Sequence, residues 1–255
     1  MSTVRSIVFY VLLFFGTIFF GACAIVVAYI TGNSDSAHLV ARRWGNFNLR
    51  VAGVKVEVRG LENISPGMSY IYAANHQSWF DIFAILGKLP VQFRWLAKEE
   101  LFSVFALGPA MKASGYIPID RSDHRKAFAS IQNAAEKVRG GTSVVIFPEG
   151  TRSPNGVLQE FKKGGFLLAV KSKHPIVPVS ISGSYKILPK QGGWKLHPGT
   201  IRMTIGQPIP TADAARNREE LMNTVREAIM KHLTPEEAGK SAEPGTSLSM
   251  ASRPL

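Results

Sequence analysis

A histidine and an aspartate stand five residues apart, directly after the most strand-like segment of the chain. Residues 70–81 read YIYAANHQSWFD, so an apolar run ends at Asn75 and His76, and Asp81 follows. Five helical steps of about 100° would leave the two side chains about 140° apart, so one helix face cannot hold both. They can meet if His76 lies in a loop and Asp81 in the first turn of the next helix. The aspartate would then fix one ring nitrogen and leave the other free to act as a general base.

The rest of the chain lacks the partners that other histidine chemistries need. No Gly-x-Ser-x-Gly segment is present, and Ser78 is better explained as a helix cap than as a nucleophile. No second histidine stands at metal-ligand spacing, so neither zinc nor iron is expected. The single cysteine, Cys23, lies in an apolar run, which excludes an intrachain disulfide and argues against thiol catalysis. The base would therefore activate a substrate hydroxyl, although the pair by itself also fits a structural histidine.

A second group of polar residues follows another buried strand. Residues 144–153 read VVIFPEGTRS. Gly150 permits a tight turn with positive φ, Glu149 can orient neighbouring donors, and Arg152 offers the planar fork that suits a phosphate group. The alternative for each of them is a solvated basic loop. Two more predicted strands end in basic side chains, those of Lys98 and Arg121.

Strand and helix patterns alternate along the chain. Apolar and β-branched runs predict strands at residues 53–59, 69–74, 92–97, 115–119, 142–147, 175–182 and 200–206. Helical spacing predicts helices at residues 36–50, 122–138 and 217–233, the last two capped by Ser122 and Asn217. This order is typical of an α/β fold, here a single domain at residues 36–234 with a central mixed β-sheet flanked by helices. Residues 235–255 have no periodicity, and we predict a disordered tail.

The N-terminal segment is apolar enough to enter a membrane. Residues 7–30 carry no charged side chain and as a helix would extend about 36 Å, enough to cross a bilayer with some tilt. The run is longer than the apolar part of a signal peptide, so we predict a retained membrane anchor at residues 1–35. Gly16 and Gly21 leave open a hairpin that enters one leaflet only. The basic residues that follow, such as Arg42 and Arg43, favour a cytoplasmic position for the body of the protein.

The net charge of +12 indicates an anionic partner. Nucleic acid and an anionic membrane surface are the two candidates. The sequence has no zinc-finger spacing, no RNA-binding signature and no basic recognition helix. Because an anchor is predicted, acidic phospholipid is the better partner, and nucleic acid is not expected.

Together these motifs resemble those of the glycerolipid acyltransferase family, in particular bacterial 1-acyl-sn-glycerol-3-phosphate acyltransferases. Residues 75–81 (NHQSWFD) and 147–153 (FPEGTRS) carry the resemblance, which extends over about residues 50–210. Two more modest blocks stand in the family's order, one between Lys98 and Arg121 and one at residues 176–179 (IVPV). The order and spacing of the four blocks make the resemblance specific.

The resemblance implies a reaction and a location. His76 would take the proton from the sn-2 hydroxyl of lysophosphatidic acid, with Asp81 as its orienting partner. The oxygen would attack the thioester of an acyl-CoA or an acyl-carrier protein without a covalent acyl-enzyme, giving phosphatidic acid. Neither a metal nor another cofactor is implied. The implied location is the bacterial inner membrane, with the catalytic domain on the cytoplasmic side.

The resemblance also implies which residues bind the substrates. The acceptor-binding block is Glu149, Gly150, Thr151 and Arg152, with Arg152 on the glycerol phosphate. Arg121 and Lys98 are further candidates for the same phosphate or for the oxyanion. Other acceptors stay open, namely glycerol 3-phosphate or another lysolipid such as a lyso-ornithine lipid. A different class also stays open, a membrane scaffold that binds anionic lipid without turnover.

Overall fold

The computed structural model describes residues 2–120, 123–211 and 217–240. The helices are α1 (Ser2–Thr31), α2 (Ser34–Ala52), α3 (Trp79–Lys88), α4 (Leu107–Ala113), α5 (His124–Arg139), α6 (Lys163–Ser172), α7 (Ser184–Ile187) and α8 (Arg218–Met230). The strands are β1 (Lys55–Arg59), β2 (Ile71–Ala74), β3 (Arg94–Lys98), β4 (Ile117–Ile119), β5 (Val144–Ile146), β6 (Ile176–Ser182) and β7 (Thr200–Ile205). Short 3₁₀ turns occur at Leu61–Asn63 and Glu99–Ser103.

The strands form one mixed seven-stranded sheet in the order β1-β7-β6-β2-β5-β3-β4. β6 and β7 are antiparallel, and the other neighbouring pairs are parallel. All four residues of the central strand β2 are buried, because helices cover both faces of the sheet, as is usual for parallel strands. Since β2, β5 and β6 are parallel neighbours, the loops that follow them lie at the same edge. The predicted α/β fold with a mixed central sheet is confirmed.

Alternate residues of the strands face two separate hydrophobic cores. Tyr72 and Ala74 of β2 belong to a core that includes Phe80 and Phe83 of α3, together with residues of α1, α2 and α4. Ile71, from the same strand, belongs to a second core that is shared with α5, α6 and α8. The sheet therefore separates helices α1–α4 from helices α5, α6 and α8.

Polar side chains begin the helices that flank the sheet. Ser78 caps α3, as predicted, and Asn217 accepts from the N–H of Glu220 at the start of α8. At α5 the cap is Asp123, whose side chain accepts from two backbone N–H groups, so the predicted cap at Ser122 is wrong; Ser122 itself lies outside the described residues. Asp and Ser are equally good caps, and the sequence alone did not separate two such neighbours.

The N-terminal segment, which the sequence predicts to be a membrane anchor, is a helical hairpin that packs along the domain. α1 turns at Gly32 into α2, whose first turn is capped by Asn33. Among the described residues, α1 is the one helix long and apolar enough to cross a membrane. One side of it is nonetheless buried, from Phe9 to Ala24. The other side exposes large apolar side chains: Val8, Val11, Phe15, Phe19, Val26 and Ile30. Helix α1 therefore lies along the domain with its free apolar side outward.

Residues 235–240, which the sequence assigned to a disordered tail, are folded onto the domain. Glu237 is buried, and its carboxylate accepts from Ser182 Oγ at 2.6 Å and from the N–H of Gly183 at 2.8 Å. Its carbonyl accepts from the N–H of Leu158. The predicted tail therefore starts at least six residues too early, because one buried acid fixes a segment that has no periodic pattern. The rest of the predicted tail, residues 241–255, lies outside the described residues.

We expect Glu237→Ala to lower the free energy of unfolding by roughly 2 kcal/mol, because the Ser182 hydroxyl and the Gly183 N–H would lose a charged acceptor in a buried site. Thermal unfolding in detergent micelles measures the change. Lys240→Ala, an exposed position in the same segment, is the control and should leave the midpoint unchanged. Equal midpoints for the two variants would contradict the stabilising role of Glu237.

Candidate active site

His76 lies in the loop between β2 and α3, where its ring meets Asp81 as predicted. His76 Nδ1 is 2.9 Å from Asp81 Oδ2. A neutral histidine in this contact carries its proton on Nδ1, donates it to the carboxylate and presents Nε2 as the basic nitrogen. The His76 side chain is 12% exposed, so one side of the ring remains accessible. The pair has the geometry of a general base with an orienting acid.

The start of α3 holds Asp81 in place. Asp81 Oδ2 also accepts from the N–H groups of Gln77 at 2.6 Å and Ser78 at 2.8 Å. The carboxylate is fully buried in the first turn of the helix, where the helix dipole favours a negative charge. Asp81 therefore completes the capping box of α3 and orients the histidine with the same oxygen atom.

The loop after β5 holds His76 from the other side. The N–H of His76 donates to Glu149 Oε1 at 2.6 Å, and its carbonyl accepts from the N–H of Ser153 at 2.7 Å. The ring of Phe147 stacks on the imidazole, with 3.8 Å between centroids and 10° between planes. The main chain, one ring face and Nδ1 of the histidine are thus all fixed by protein groups.

Glu149 lies beneath the site rather than on its surface. The residue is 2% exposed, and its second oxygen, Oε2, accepts from the N–H of Gln159 at 2.9 Å. Burial raises the pKa of the Glu149 carboxyl to about 7, although the hydrogen bonds from Gln159 and His76 act in the opposite direction. The family resemblance implied a substrate-binding role for Glu149, but both of its oxygens are occupied by backbone groups. Its contacts make it a support for His76.

Gly150 and Thr151 shape the turn that carries Arg152. Gly150 has a φ of +75°, the left-handed region that favours glycine, and a Cβ there would lie 2.9 Å from Lys162 Cδ. Thr151 Oγ1 and the carbonyl of Arg152 both accept from Lys190 Nζ, at 3.1 and 3.0 Å. The turn is therefore flanked by two lysines.

The Arg152 guanidinium lies over Trp79, the first residue of α3, with Cζ 5.4 Å from the ring centroid. Partial burial lowers the pKa of the Arg152 guanidinium, and the nearby Asp81 carboxylate opposes that shift. An arginine stays cationic under such shifts. Arg152 thus places a positive charge beside the His76–Asp81 pair, where it can receive an anionic group of a substrate.

Lys98, another predicted basic residue, lies apart from the contacts of this cluster. Lys98 ends β3 and forms an exposed ion pair with Glu100, with 2.6 Å between Nζ and Oε1. The structure thus gives Lys98 a local partner and no contact with the loop that carries His76. Arg121 lies outside the described residues, so its predicted role stays a prediction.

A cavity of about 430 Å³ lies beside the histidine. Phe147, which stacks on His76, forms part of its wall. The remaining wall comes from β3, β4 and β5, from the turn at Gly150, and from the first residues of α5 and α6. The cavity connects the carboxyl edge of the sheet with the side of the domain that α5 and α6 cover.

Three residues of the site received no role from the sequence. Trp79 and Phe147 lie inside the two quoted motifs. The sequence did contain a signal for their roles, namely an aromatic residue close to a candidate functional residue. Lys190 stands 38 residues after Arg152, in a segment without a motif, and no local pattern links it to the turn. Long-range contacts of this kind depend on the fold.

A family of known proteins matches the part of the chain that contains these residues. The family described as acyltransferase matches residues 55–182, which include β2, β5, His76, Asp81 and the turn at Arg152. The chain belongs to the acyltransferase family.

Relatives of this acyltransferase have consistent names. It is 35% identical over 215 residues to the 1-acyl-sn-glycerol-3-phosphate acyltransferase of Pseudomonas aeruginosa, covering 81% of this chain and 82% of the relative. It is 34% identical over 193 residues to a chloroplastic 1-acyl-sn-glycerol-3-phosphate acyltransferase of Brassica napus, covering 75% of this chain and 56% of the relative. The acyltransferase thus spans about half the length of the chloroplastic relatives that it matches.

A solved structure shares the fold over nearly the whole chain. The crystal structure of the 1-acyl-sn-glycerophosphate (LPA) acyltransferase PlsC from Thermotoga maritima superposes with a TM-score of 0.79 at 28% identity. The superposition covers 95% of the acyltransferase and 98% of the Thermotoga chain. It therefore includes most of the N-terminal hairpin as well as the α/β domain.

We expect Glu149→Gln to lower kcat of this acyltransferase by about tenfold to a hundredfold with less than a twofold change in acceptor KM. The amide would put an N–H₂ group against a backbone donor, and the loss of a buried hydrogen bond of this kind costs about 1–3 kcal/mol. Steady-state kinetics measure both constants, with the exposed Glu160→Gln as the control. A larger effect on acceptor KM than on kcat would mean that Glu149 contacts the substrate.

The same residue predicts how stability depends on pH. Because burial raises the pKa of Glu149 from 4.5 to about 7, its contribution to the free energy of unfolding is fully present below the lower value and is lost as the pH rises through the higher one. The wild-type protein should therefore lose stability relative to Glu149→Gln as the pH rises from about 4.5 to about 7. Denaturant unfolding of both proteins across this range measures the difference, and a constant or rising difference would contradict the raised pKa.

Proposed function

We propose that the protein transfers a fatty acyl group from an acyl-CoA or acyl-carrier protein to the sn-2 hydroxyl of lysophosphatidic acid, giving phosphatidic acid. The observation that carries this proposal is the contact between His76 and Asp81 at the carboxyl edge of the sheet. The names of the relatives support the acceptor, since both the Pseudomonas and the Brassica proteins are 1-acyl-sn-glycerol-3-phosphate acyltransferases.

The hydroxyl of the acceptor is the attacking group in this proposal. Ser78, the serine closest in sequence to His76, donates its hydroxyl to the carbonyl of Leu188 and accepts from the N–H of Phe80, so it serves as a cap. His76 Nε2 removes the proton of the acceptor hydroxyl as its oxygen bonds to the thioester carbonyl. The tetrahedral intermediate then expels the thiolate, which takes up the proton from the imidazolium. The ester and the free thiol are the products, and no acyl-enzyme forms.

Arg152 receives the phosphate of the acceptor in this proposal. Its guanidinium is half-buried and stands over Trp79, next to the His76–Asp81 pair. Lys190 contacts the same turn and adds a second positive charge. A planar guanidinium binds a phosphate through two parallel hydrogen bonds, which positions the glycerol as well as attracting the charge.

The membrane supplies the acceptor and keeps the product. The buried side of α1 packs on the domain from Phe9 to Ala24, which supports entry of its exposed apolar side into one leaflet rather than a span of the bilayer. Basic residues that follow α1 in the sequence, Arg42, Arg43 and Arg50, support a cytoplasmic location at the inner membrane, next to anionic lipid.

A panel of acceptors tests the proposal. Purified protein in mixed micelles would receive labelled palmitoyl-CoA with lysophosphatidic acid, glycerol 3-phosphate or a lyso-ornithine lipid. The largest kcat/KM should be obtained with lysophosphatidic acid. Preference for another acceptor would replace the proposed substrate, and the absence of transfer from both thioester donors would favour a lipid-binding scaffold.

We expect His76→Ala to lower kcat by about 10²- to 10⁴-fold, the usual effect of removing a general base, while membrane association stays normal. Asp81→Asn should have a smaller effect in the same direction. Initial rates with saturating substrates give the loss, and vesicle flotation gives the association. His174→Ala, a half-buried histidine outside the site, is the control. A kcat for His76→Ala near that of the wild type would contradict the proposed role of His76 as general base.

We expect Arg152→Lys to raise the KM for lysophosphatidic acid and to leave the KM for the thioester donor nearly unchanged, because lysine keeps the charge but loses the two-pronged contact. Arg152→Ala should lower kcat/KM further, by an amount that corresponds to a rise of about 2–4 kcal/mol in the activation free energy. This is the range for breaking a charge-assisted contact in a partly desolvated site. Kinetics with each substrate varied in turn separate the two constants. Equal increases in both KM values, with a lower thermal midpoint, would show that Arg152 only braces the turn.

A further inference from the structure

Helices α5 and α6 carry a concentration of positive charge on their outer side. The ranges 123–139 and 162–173 contain eight Lys and Arg residues and two Asp and Glu residues. We name the solvent-facing side of these two ranges the α5–α6 surface. On α5 the basic residues extend from Arg125 to Arg139, a distance of about 21 Å along a helix. An excess of one sign over such a length attracts an extended anionic partner.

The protein itself neutralises only part of this charge. Lys126 and Lys163 form exposed ion pairs with Asp120 at 3.4 Å and Glu219 at 3.2 Å. Exposed pairs of this kind contribute little and are easily exchanged for other partners. For Arg125 and Lys137, both exposed, no ion pair is found within the part of the chain that the structure describes.

Contacts between α5 and α6 keep the surface in one shape. Arg139 Nη1 donates to the carbonyl of Lys171 at 2.9 Å. The Lys171 ammonium lies over the ring of Phe128, with Nζ 4.6 Å from the centroid. These contacts cross from one helix to the other, so the basic side chains of the two helices keep a fixed spacing.

The membrane that α1 enters lies on the other side of the sheet. Ile131 and Val138 of α5 pack with Ile71 in the second core, whereas Phe9 of α1 packs with Tyr72 in the first. Helix α1 and the α5–α6 surface therefore lie on opposite faces of the sheet. The sheet thus separates the α5–α6 surface from the lipid proposed to surround α1, which favours a partner from the aqueous side.

The α5–α6 surface adjoins the cavity that lies beside His76. Asp123 and Ala127 of α5, and Lys162 directly before α6, line the cavity of about 430 Å³. Phe147, which also lines this cavity, stacks on His76. An acyl group on a flexible arm, presented by a protein bound to this surface, would enter next to the catalytic histidine.

We propose that the α5–α6 surface docks an acidic acyl-carrier protein that delivers the acyl thioester. The inference rests on the proposed function in one respect, that the acyl donor is a thioester. A carrier protein fits better than the phosphates of CoA, because basic residues stand at both ends of α5, about 21 Å apart, and those at the second end are beyond the residues that line the cavity. Complementary charge of this kind speeds association and is screened by salt.

The test compares two donors in two matched double variants. Arg125→Glu/Lys137→Glu changes two exposed residues of α5, and Arg218→Glu/Lys231→Glu makes the same change in net charge on α8. Neither pair belongs to the site. The first variant should raise the KM for a palmitoylated acyl-carrier protein by about tenfold or more and change the KM for palmitoyl-CoA by less than about twofold. The second variant should change neither, and the tenfold difference should shrink as salt is raised.

Three results would overturn the proposal. These are an unchanged KM for the carrier protein in the α5 variant, an equal rise for both donors, and no turnover of the carrier protein by the wild type. In the last case activity with palmitoyl-CoA would leave the proposed acyl transfer intact, so the two hypotheses fail separately. Flotation with anionic vesicles gives a further outcome: weaker binding of the α5 variant would identify the surface as a membrane contact and would also overturn carrier-protein docking.

Discussion

One buried carboxylate determines the arrangement of the site. Asp81 Oδ2 accepts from the His76 ring and from the N–H groups of Gln77 and Ser78, and the side chain is inaccessible to solvent. A buried charge without partners would be prohibitively unfavourable, so the loop must close around it with all three donors in place. The bonds that begin α3 are therefore the bonds that set the tautomer of the histidine. Local folding and chemistry depend on the same oxygen atom.

The sheet adds the second requirement, which is that two loops meet. Parallel pairing of β2 with β5 places the residues after Ala74 and after Ile146 at one edge. Glu149 then reaches the N–H of His76 across 73 residues of sequence. Phe147 covers the ring from the same loop. Each loop fixes the other. The N–H of His76 donates to Glu149, and the N–H of Ser153 donates to the carbonyl of His76.

Features encoded by neighbouring residues could be predicted from the sequence, and those encoded by distant residues could not. The strands follow from short β-branched runs, and the meeting of His76 with Asp81 follows from a loop before a helix. The roles of Glu149 and Lys190 depend on partners 73 and 39 positions away, which no local pattern reveals. The burial of Glu237 could not be predicted for the same reason. An acid in a tail that contains Gly and Ala is expected to be solvated, and its partner Ser182 is distant in the sequence.

The contact of α1 with the domain has a consequence for how the protein is built. Phe9 of α1 stacks on Phe80 of α3, with 5.5 Å between ring centroids, and Phe80 directly precedes Asp81. The first helix is thus part of the wall behind Asp81, and it is an integral part of the core. In the proposed membrane attachment, the depth of α1 in the lipid would fix the height of His76 above it, because the helix and the site form one packed unit. Membrane insertion and the final packing of the core would then be a single event for this chain.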